Sequence, residues 1–428
     1  MAFHLTVSSL YRQVADHGSF RVLSWGQISL IAFVSYVSLC SFLRFRRVNK
    51  LRQRYPYPDR ASLAQMTNEE AQVIVQNICS YEFPYFYDLS QRYALFRTYA
   101  VENIAKLLVS VSDLSKSDQS PKRQVSILTD PFIAFLAHYA PTSSMLRKAV
   151  ARMNYLHAPY IKSGRILNKD LLYVLYTAMS EPERFMRLYE WRPLLEMEVA
   201  AVASVWRYVG DLMEIDYEAE LGKNQWRDAI EFLDDVSQWA SKYEEQYMRP
   251  MDEVAQLGSV LMDLLLSAYP RALRPLGYQI VMVLMGARMR YAFRFPEPGV
   301  AVCALTYTLL LLRKLFLRYL SLPRFSRVVF VTEPDPTSKR MKHLHYLKEP
   351  WYTPATFWWR WGPTAWATWA TGGMVPGDNE EMKPEGFLWE DIGPRSKMGK
   401  GSEETAKLEE VVQQRATGKC PFAVPSKT

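Results

Sequence analysis

Apolar positions fall into one uninterrupted block near the start of the chain and into short periodic groups after it. Val22 to Leu43 carries no charge and is mostly apolar, enough for a helix to cross a bilayer core. From about residue 67 to 295 the apolar positions recur at steps of three and four, with no convincing alternating strand pattern, so the body is predicted to be all-α. Thr67 followed by Glu70 reads as a helix start. Gln91 to Val111 is predicted as one helix with Arg97, Val101, Ile104 and Leu108 on a shared face, and Ile127 to Tyr139 as a short apolar one. A helix starting near Ser144 puts Leu146, Val150, Met153, His157 and Tyr160 on one stripe. Pro159 is expected to disrupt it, for want of an N–H, with Ser163-Gly164 as the stop signal. Asn168 or Asp170 caps the next helix, through Met179, and Pro182 restarts the chain. Leu194, Glu198, Ala201, Val205, Val209 and Leu212 make a further stripe, and Trp226 to Tyr247 another. Gly258 to Arg294 is again helical and apolar.

A second strongly apolar stretch, Val300 to Leu322, is broken by Arg313, Lys314 and Arg318. Too few residues lie between Pro298 and Leu312 for a comfortable span, so an interfacial, re-entrant or buried helix is expected. From Ser326 the chain is rich in Pro, Gly and Trp and suits a wrap over the helical body. The last thirty or so residues are polar and expected to be mobile. The resulting division is a lead (1–21), a transmembrane anchor (22–43), a basic juxtamembrane linker (44–66), a helical domain (67–325), a C-terminal wrap (326–394) and a polar tail (395–428).

Composition sharpens the picture in two places. Hydrophobic residues make up 49% and aromatics 14%, which excludes a disordered or fibrous chain. The net charge of +8 is concentrated after the anchor, in Arg44, Arg46, Arg47, Lys50, Arg52 and Arg54. A cleaved signal peptide has the opposite order. The positive-inside rule puts the N-terminus in the lumen and the rest on the cytosolic side, and the lack of an Asn-x-Ser/Thr sequon agrees. No zinc-finger or RNA-binding motif supports a nucleic-acid partner. Cys40, Cys79, Cys303 and Cys420 form no CxxC pair, and none sits in the Gly-rich setting of a thiolate-ligated haem monooxygenase.

The six histidines narrow the search for chemistry. His4 and His17 precede the anchor, His343 and His345 lie in a polar connector, and His138 ends a helix beside a turn. His157 alone sits inside an apolar stripe, either as a packed core residue or as an iron ligand. Arg97 beside aliphatics is either a guanidinium that snorkels or pairs with a carboxylate, or one held near an anion or polar ligand. Glu198 in its stripe needs a partner, for which Arg97 and Arg192 are candidates. No HExxH, Gly-x-Ser-x-Gly, GxGxxG, P-loop or paired ExxH pattern is present.

Tyr93-Ala-Leu-Phe-Arg97-Thr98-Tyr99, Arg152-Met-Asn-Tyr-Leu-His157-x-x-Tyr160-x-x-Ser163-Gly164 and Asp170-Leu-Leu-Tyr173 resemble the fungal ER-bound oxygenase MpaB family. Tyr189-Glu-Trp-Arg192, Trp206-Arg-Tyr-Val-Gly210-Asp211, Arg318-Tyr-Leu-Ser-Leu-Pro323-Arg324, Arg360-Trp-Gly-Pro363, Val375-Pro-Gly-Asp378 and Asp391-Ile-Gly-Pro394 extend the likeness over nearly the whole chain. The family is distantly similar to latex-clearing rubber oxygenases. The resemblance implies a globin-like helical core around haem b, with dioxygen as co-substrate, cleaving a carbon–carbon double bond in a prenyl or terpenoid chain of a secondary metabolite. It implies His157 as the proximal iron ligand, Arg97 and Thr98 as catalytic on the distal side, and Arg152, Arg97 and Glu198 among the cofactor-binding residues. The other ring nitrogen of His157 is expected to bond a carbonyl or carboxylate, with the carbonyl of Tyr155, freed by Pro159, as one candidate. It also implies an apolar prenylated substrate and the endoplasmic reticulum membrane as the location. The sequence departs from the pattern at Lys122-Arg123-Gln-Val-Ser, where relatives tend to carry Tyr-x-Asp-Thr, and at Ala100, where they carry glycine. Arg97 replaces the lysine of the rubber enzymes, and a guanidinium has no lone pair for iron. The alternative is a non-catalytic, membrane-anchored helical lipid-binding or scaffold protein of the same fold.

Overall fold

The computed structural model describes residues 24–112, 114, 139–266, 270–345, 349–370 and 372–422. The predicted helix over 127–139 and the departure at 122–126 fall outside them, apart from Tyr139, as do the lead and the side chains of His4, His17 and His138. Helices of ten residues or more are α1 (Trp25–Arg54), α2 (Asn68–Asn77), α3 (Pro84–Thr98), α4 (Glu102–Val111), α5 (Ser144–Lys162), α6 (Asn168–Tyr189), α7 (Glu196–Leu212), α8 (Ala229–Tyr247), α9 (Asp252–Leu266), α10 (Arg274–Leu284), α11 (Val300–Tyr319) and α12 (Ser402–Arg415). Isolated bridges, Val331 with His343 and Met341 with Phe387, are the β pairing among the described residues, so the all-α expectation holds.

The core forms where α6 packs on α3, α7 on α2, and α8 on both α6 and α7. Leu172, Tyr173, Met186, Ala200, Ala201 and Phe232 lie at its centre with no exposed surface. On α5 the Leu146–Val150 face enters this core, and Met145 and Ala149 face a second cluster built by the wrap, with Phe330, Met341, Trp351 and Phe387.

Several sequence expectations are corrected. The segment from Gln91 to Val111 is two helices: α3 stops at Thr98, and Val101, with extended backbone, begins α4. Thr98, Tyr99 and Val101 are poor helix formers, and burial of Ala100 and Val101 fixes the break. Helix α6 does not end near Met179 but runs through Pro182 to Tyr189. The proline deprives the Ala178 carbonyl of its helical donor, and Gln91 Nε2 on α3 fills the gap at 3.0 Å. Helix α5 likewise continues across Pro159 to Lys162. It ends where expected, at Ser163-Gly164: Gly164 takes a positive φ of 70°, and the Arg165 N–H closes on the Tyr160 carbonyl at 2.8 Å.

The basic linker is also helical as far as Arg54. Cys40, Arg44, Val48 and Leu51 form its inner stripe. Arg44 donates to the carbonyls of Ser321 and Leu322 (2.5 and 3.1 Å). Arg47 donates to the Arg324 carbonyl at 2.5 Å and to Glu82 at 3.1 Å. Part of the charge read as a topology signal therefore clamps α1 to the body, and Arg46, Lys50, Arg52 and Arg54 stay exposed. Helix α11 is not buried: Thr306 is its one fully covered residue. Both α1 and α11 are long and apolar enough to cross a membrane.

The polar tail is docked up to residue 422. Helix α12 packs along α5, Val412 and Phe422 reach the core, and Asn68 Nδ2 donates to the Thr417 carbonyl at 3.1 Å.

His343, 3% exposed under the wrap, is held down to a pKa of about 3 by burial, with Arg92 and His345 adding to the effect. Its folded value lies below that of the unfolded chain, so only the unfolded state takes up the proton between about pH 6.5 and 3. Stability is complete above that window and falls as pH drops through it, by roughly 2–4 kcal/mol from this group. Denaturant titrations at pH 7 and 5 should show a smaller loss in His343→Leu than in wild type. An unchanged loss would remove His343 as a source of acid sensitivity.

Candidate active site

A cavity of about 320 Å³ opens between α3, α4, α5, α6 and the end of α7. Its wall is mostly aliphatic and aromatic, including Leu95, Leu108, Leu156, Val174 and Trp206. Among these sit a few polar groups: His157, Thr98, Asn103, Asp170, Arg165 and Lys397. This combination suits an apolar ligand oriented by a small number of polar contacts.

His157 arrives one turn beyond Met153 on the predicted stripe. Its Nδ1 is buried and has no hydrogen-bond partner among the described residues, so the expected bond to the Tyr155 carbonyl is not formed. An unpaired buried nitrogen costs about 1–3 kcal/mol. Burial lowers the pKa of the ring to about 4, so it is neutral at physiological pH with a lone pair available. That is the state a metal ligand requires. Among the described residues no group of three or more acidic, cysteine or histidine side chains forms a metal cage.

Thr98 lines the same cavity, but its hydroxyl already donates to the Leu95 carbonyl at 2.7 Å. Towards the cavity it offers an acceptor. Asp170, expected as a helix cap and as the first residue of the Asp170-Leu-Leu-Tyr173 likeness, does cap Leu167 N at 3.4 Å. It also receives the Tyr243 hydroxyl at 2.5 Å and places a carboxyl on the cavity wall. Burial raises its pKa from the ordinary aspartate value, against the hydrogen bonds that it accepts. The helix-start pattern concealed this second role, and nothing in the local sequence distinguishes the two.

The remaining expected site residues lie elsewhere. Arg97 is not on the cavity wall: its guanidinium is bound between Glu181 and Glu244, each at 2.5 Å. Arg184 also holds Glu181 at 2.7 Å, and the Tyr173 hydroxyl donates to Glu244 at 2.8 Å. Burial opposes the charge on Arg97, but these neighbours outweigh it and raise its pKa further. Arg152, with 1% exposure, spends its donors on four carbonyls of the C-terminal segment: Ile392 (2.9 Å), Lys400 (2.7 Å), Glu390 (2.9 Å) and Lys397 (3.1 Å). Glu198 binds Arg192, one of its two expected partners, through two contacts at 2.6 and 2.8 Å and caps Leu195 N at 2.8 Å. The polar atoms of Arg97, Arg152 and Glu198, expected as cofactor contacts, are thus engaged by protein partners, and none of the three residues lines the cavity. The cations on its wall are Arg165 and Lys397.

The other motifs resolve into similar clamps. Arg207 meets Asp211 at 2.9 Å, Arg313 meets Glu190 at 2.8 Å, and Arg360 meets Asp378 at 3.1 Å. Gly393 adopts a φ of 142° beside Leu156 and Arg152, which turns Pro394 onto the cavity wall.

Fold and site together define a mainly helical protein with two helices long and apolar enough to cross a membrane, an open-mouthed apolar cavity and a neutral histidine whose Nδ1 has no partner. No family model matches the sequence, but curated relatives do. The chain is 34% identical over 402 residues to the ER-bound oxygenase mpaB' of Penicillium brevicompactum, covering 93% of this chain and 95% of the relative. It is 33% identical over 373 residues to ER-bound oxygenase mpaB of the same species, covering 86% and 88%. The mpaB protein of Penicillium roqueforti matches at 34% over 274 residues, 64% of this chain and 91% of the relative. The chain belongs to the MpaB family of ER-bound oxygenases.

Proposed function

We propose that this protein is an oxygenase of the endoplasmic reticulum membrane that holds haem b through His157 and cleaves a carbon–carbon double bond in a prenyl or terpenoid chain. The observation that carries this reading is a neutral imidazole lining an apolar cavity, with its buried Nδ1 unpaired, in a chain whose relatives are named oxygenases. When bound, haem would supply the iron that activates dioxygen. His157 would hold the iron, and the wall cations Arg165 and Lys397 would meet the propionates. Leu95, Leu108 and Val174 exclude water and accept the apolar chain. Asp170 would supply a carboxyl at the cavity wall as a candidate acid–base group. Overall, one olefin and one dioxygen give two carbonyl groups, so no other reductant is needed for the balance.

Helix α1 anchors the chain by its exposed N-terminal half, with the helical body on the cytosolic side. Incubating protein-containing membranes with prenylated phenols and free isoprenoids under ¹⁸O₂ should give shortened products with a labelled carbonyl oxygen. Hydroxylation without chain scission would reject the cleavage reaction. Colourless protein of normal helical content that binds these lipids unchanged would favour the scaffold alternative.

A further inference from the structure

Helix α11 is split lengthwise by charge. The three cations that interrupt its sequence all point to the protein. Arg313 donates to the Tyr189 carbonyl at 2.9 Å and to Glu190 at 2.8 Å, with its guanidinium 3.8 Å from the centre of the Phe86 ring. Lys314 reaches the carbonyls of Arg187 and Leu188 at 3.3 and 3.2 Å, and Arg318 lies over Phe45 of α1. Leu310 and Leu317 share this inner face and pack on the core. The outer face carries no charge, and Leu305, Leu309, Leu312 and Phe316 on it are 45–56% exposed.

We infer that this outer face is immersed in the acyl region of the bilayer that α1 enters, so that the protein has a second, non-spanning membrane contact. Three features identify the occupant as lipid. First, the end of α11 continues directly into the anchor: Tyr36 of α1 donates to the Leu320 carbonyl at 2.9 Å, and Arg44 binds the next two carbonyls. Second, the cations are neutralised on the side away from the exposed face, whereas a helix bathed in water gains most by keeping them solvated. Third, the middle of α11 is fixed to the end of α6 through Arg313 and Lys314. One side of it is therefore always protein, which excludes a free span and suits a helix lying at the interface. The clamped α1 and the seated α11 hold the helical body against the membrane in one orientation, where a flexible stalk would let it tumble.

The test uses full-length protein in phosphatidylcholine nanodiscs with a nitrobenzoxadiazole label on Leu312→Cys, built in a background with the native cysteines replaced by serine or alanine. Ile31→Cys on α1 serves as the lipid-immersed control and Lys242→Cys on α8 as the aqueous one. Lipids brominated on their acyl chains should quench the label at 312 by several-fold, close to the value at 31, with little effect at 242. A label at 312 that is quenched by aqueous iodide and not by brominated lipid overturns the inference. So does protection that disappears when labelled protein is diluted into lipid in excess, because a second copy of the chain would then be the occupant. Leu309→Cys provides the same reading if the 312 variant fails to fold.

Discussion

Replacing His157 with alanine should abolish the Soret band of the purified full-length protein and leave its far-ultraviolet dichroism unchanged. Removing the only strong metal-ligating nitrogen on the described cavity wall should weaken haem retention by at least about 100-fold, the upper end of what even a supporting residue contributes at metal sites. The apo fold has little to lose. The imidazole accepts no hydrogen bond at Nδ1 and is kept neutral by burial, so its removal deletes an unsatisfied polar group worth about 1–3 kcal/mol against folding. This offsets the lost packing. The variant should therefore be colourless, folded and inactive, and adding imidazole to it should restore part of the absorbance. A full Soret band in the variant would assign the iron to another side chain and end the proposal.

The second large effect is expected at Arg97, and it concerns stability. Arg97→Ala leaves Glu181 with Arg184 alone and Glu244 with only the Tyr173 hydroxyl. Breaking a buried pair costs about 3–5 kcal/mol, and with 21% of the arginine side chain exposed the lower end applies. Thermal or denaturant unfolding in detergent should show this loss. Glu244→Gln in the Arg97→Ala background should recover part of it, because the uncompensated carboxylate is then gone. A variant as stable as wild type, with haem retained and turnover lost, would instead return the guanidinium to the reaction.

The helical body, the long apolar first helix and the stripe through His157 were legible because each depends on local periodicity. What remained hidden depends on distant partners. Pro182 reads as a break because its helix-saving donor, Gln91, lies on another helix. Arg97 and Arg152 read as site residues because a basic residue within a motif looks the same whether it faces a ligand or clamps a carbonyl. The partners that bind them, Glu244 and the carbonyls near residue 392, lie far along the chain. Asp170 was visible as a cap and invisible as a cavity residue for the same reason. Even α11 was readable only in part: the interruption by three charges suggested an interfacial or buried helix, and only the packing shows which face hides them.

The clamp formed by Arg152 also sets an order of events during synthesis. Its carbonyl partners lie roughly 240 positions downstream, and α12, which covers the same helix, comes later still. The apolar helix α1 has left the ribosome long before those partners exist. Until that segment emerges, the Arg152 guanidinium stays in water and the wall contributed by Pro394 and Lys397 is missing, so closure of the cavity is a late event of synthesis.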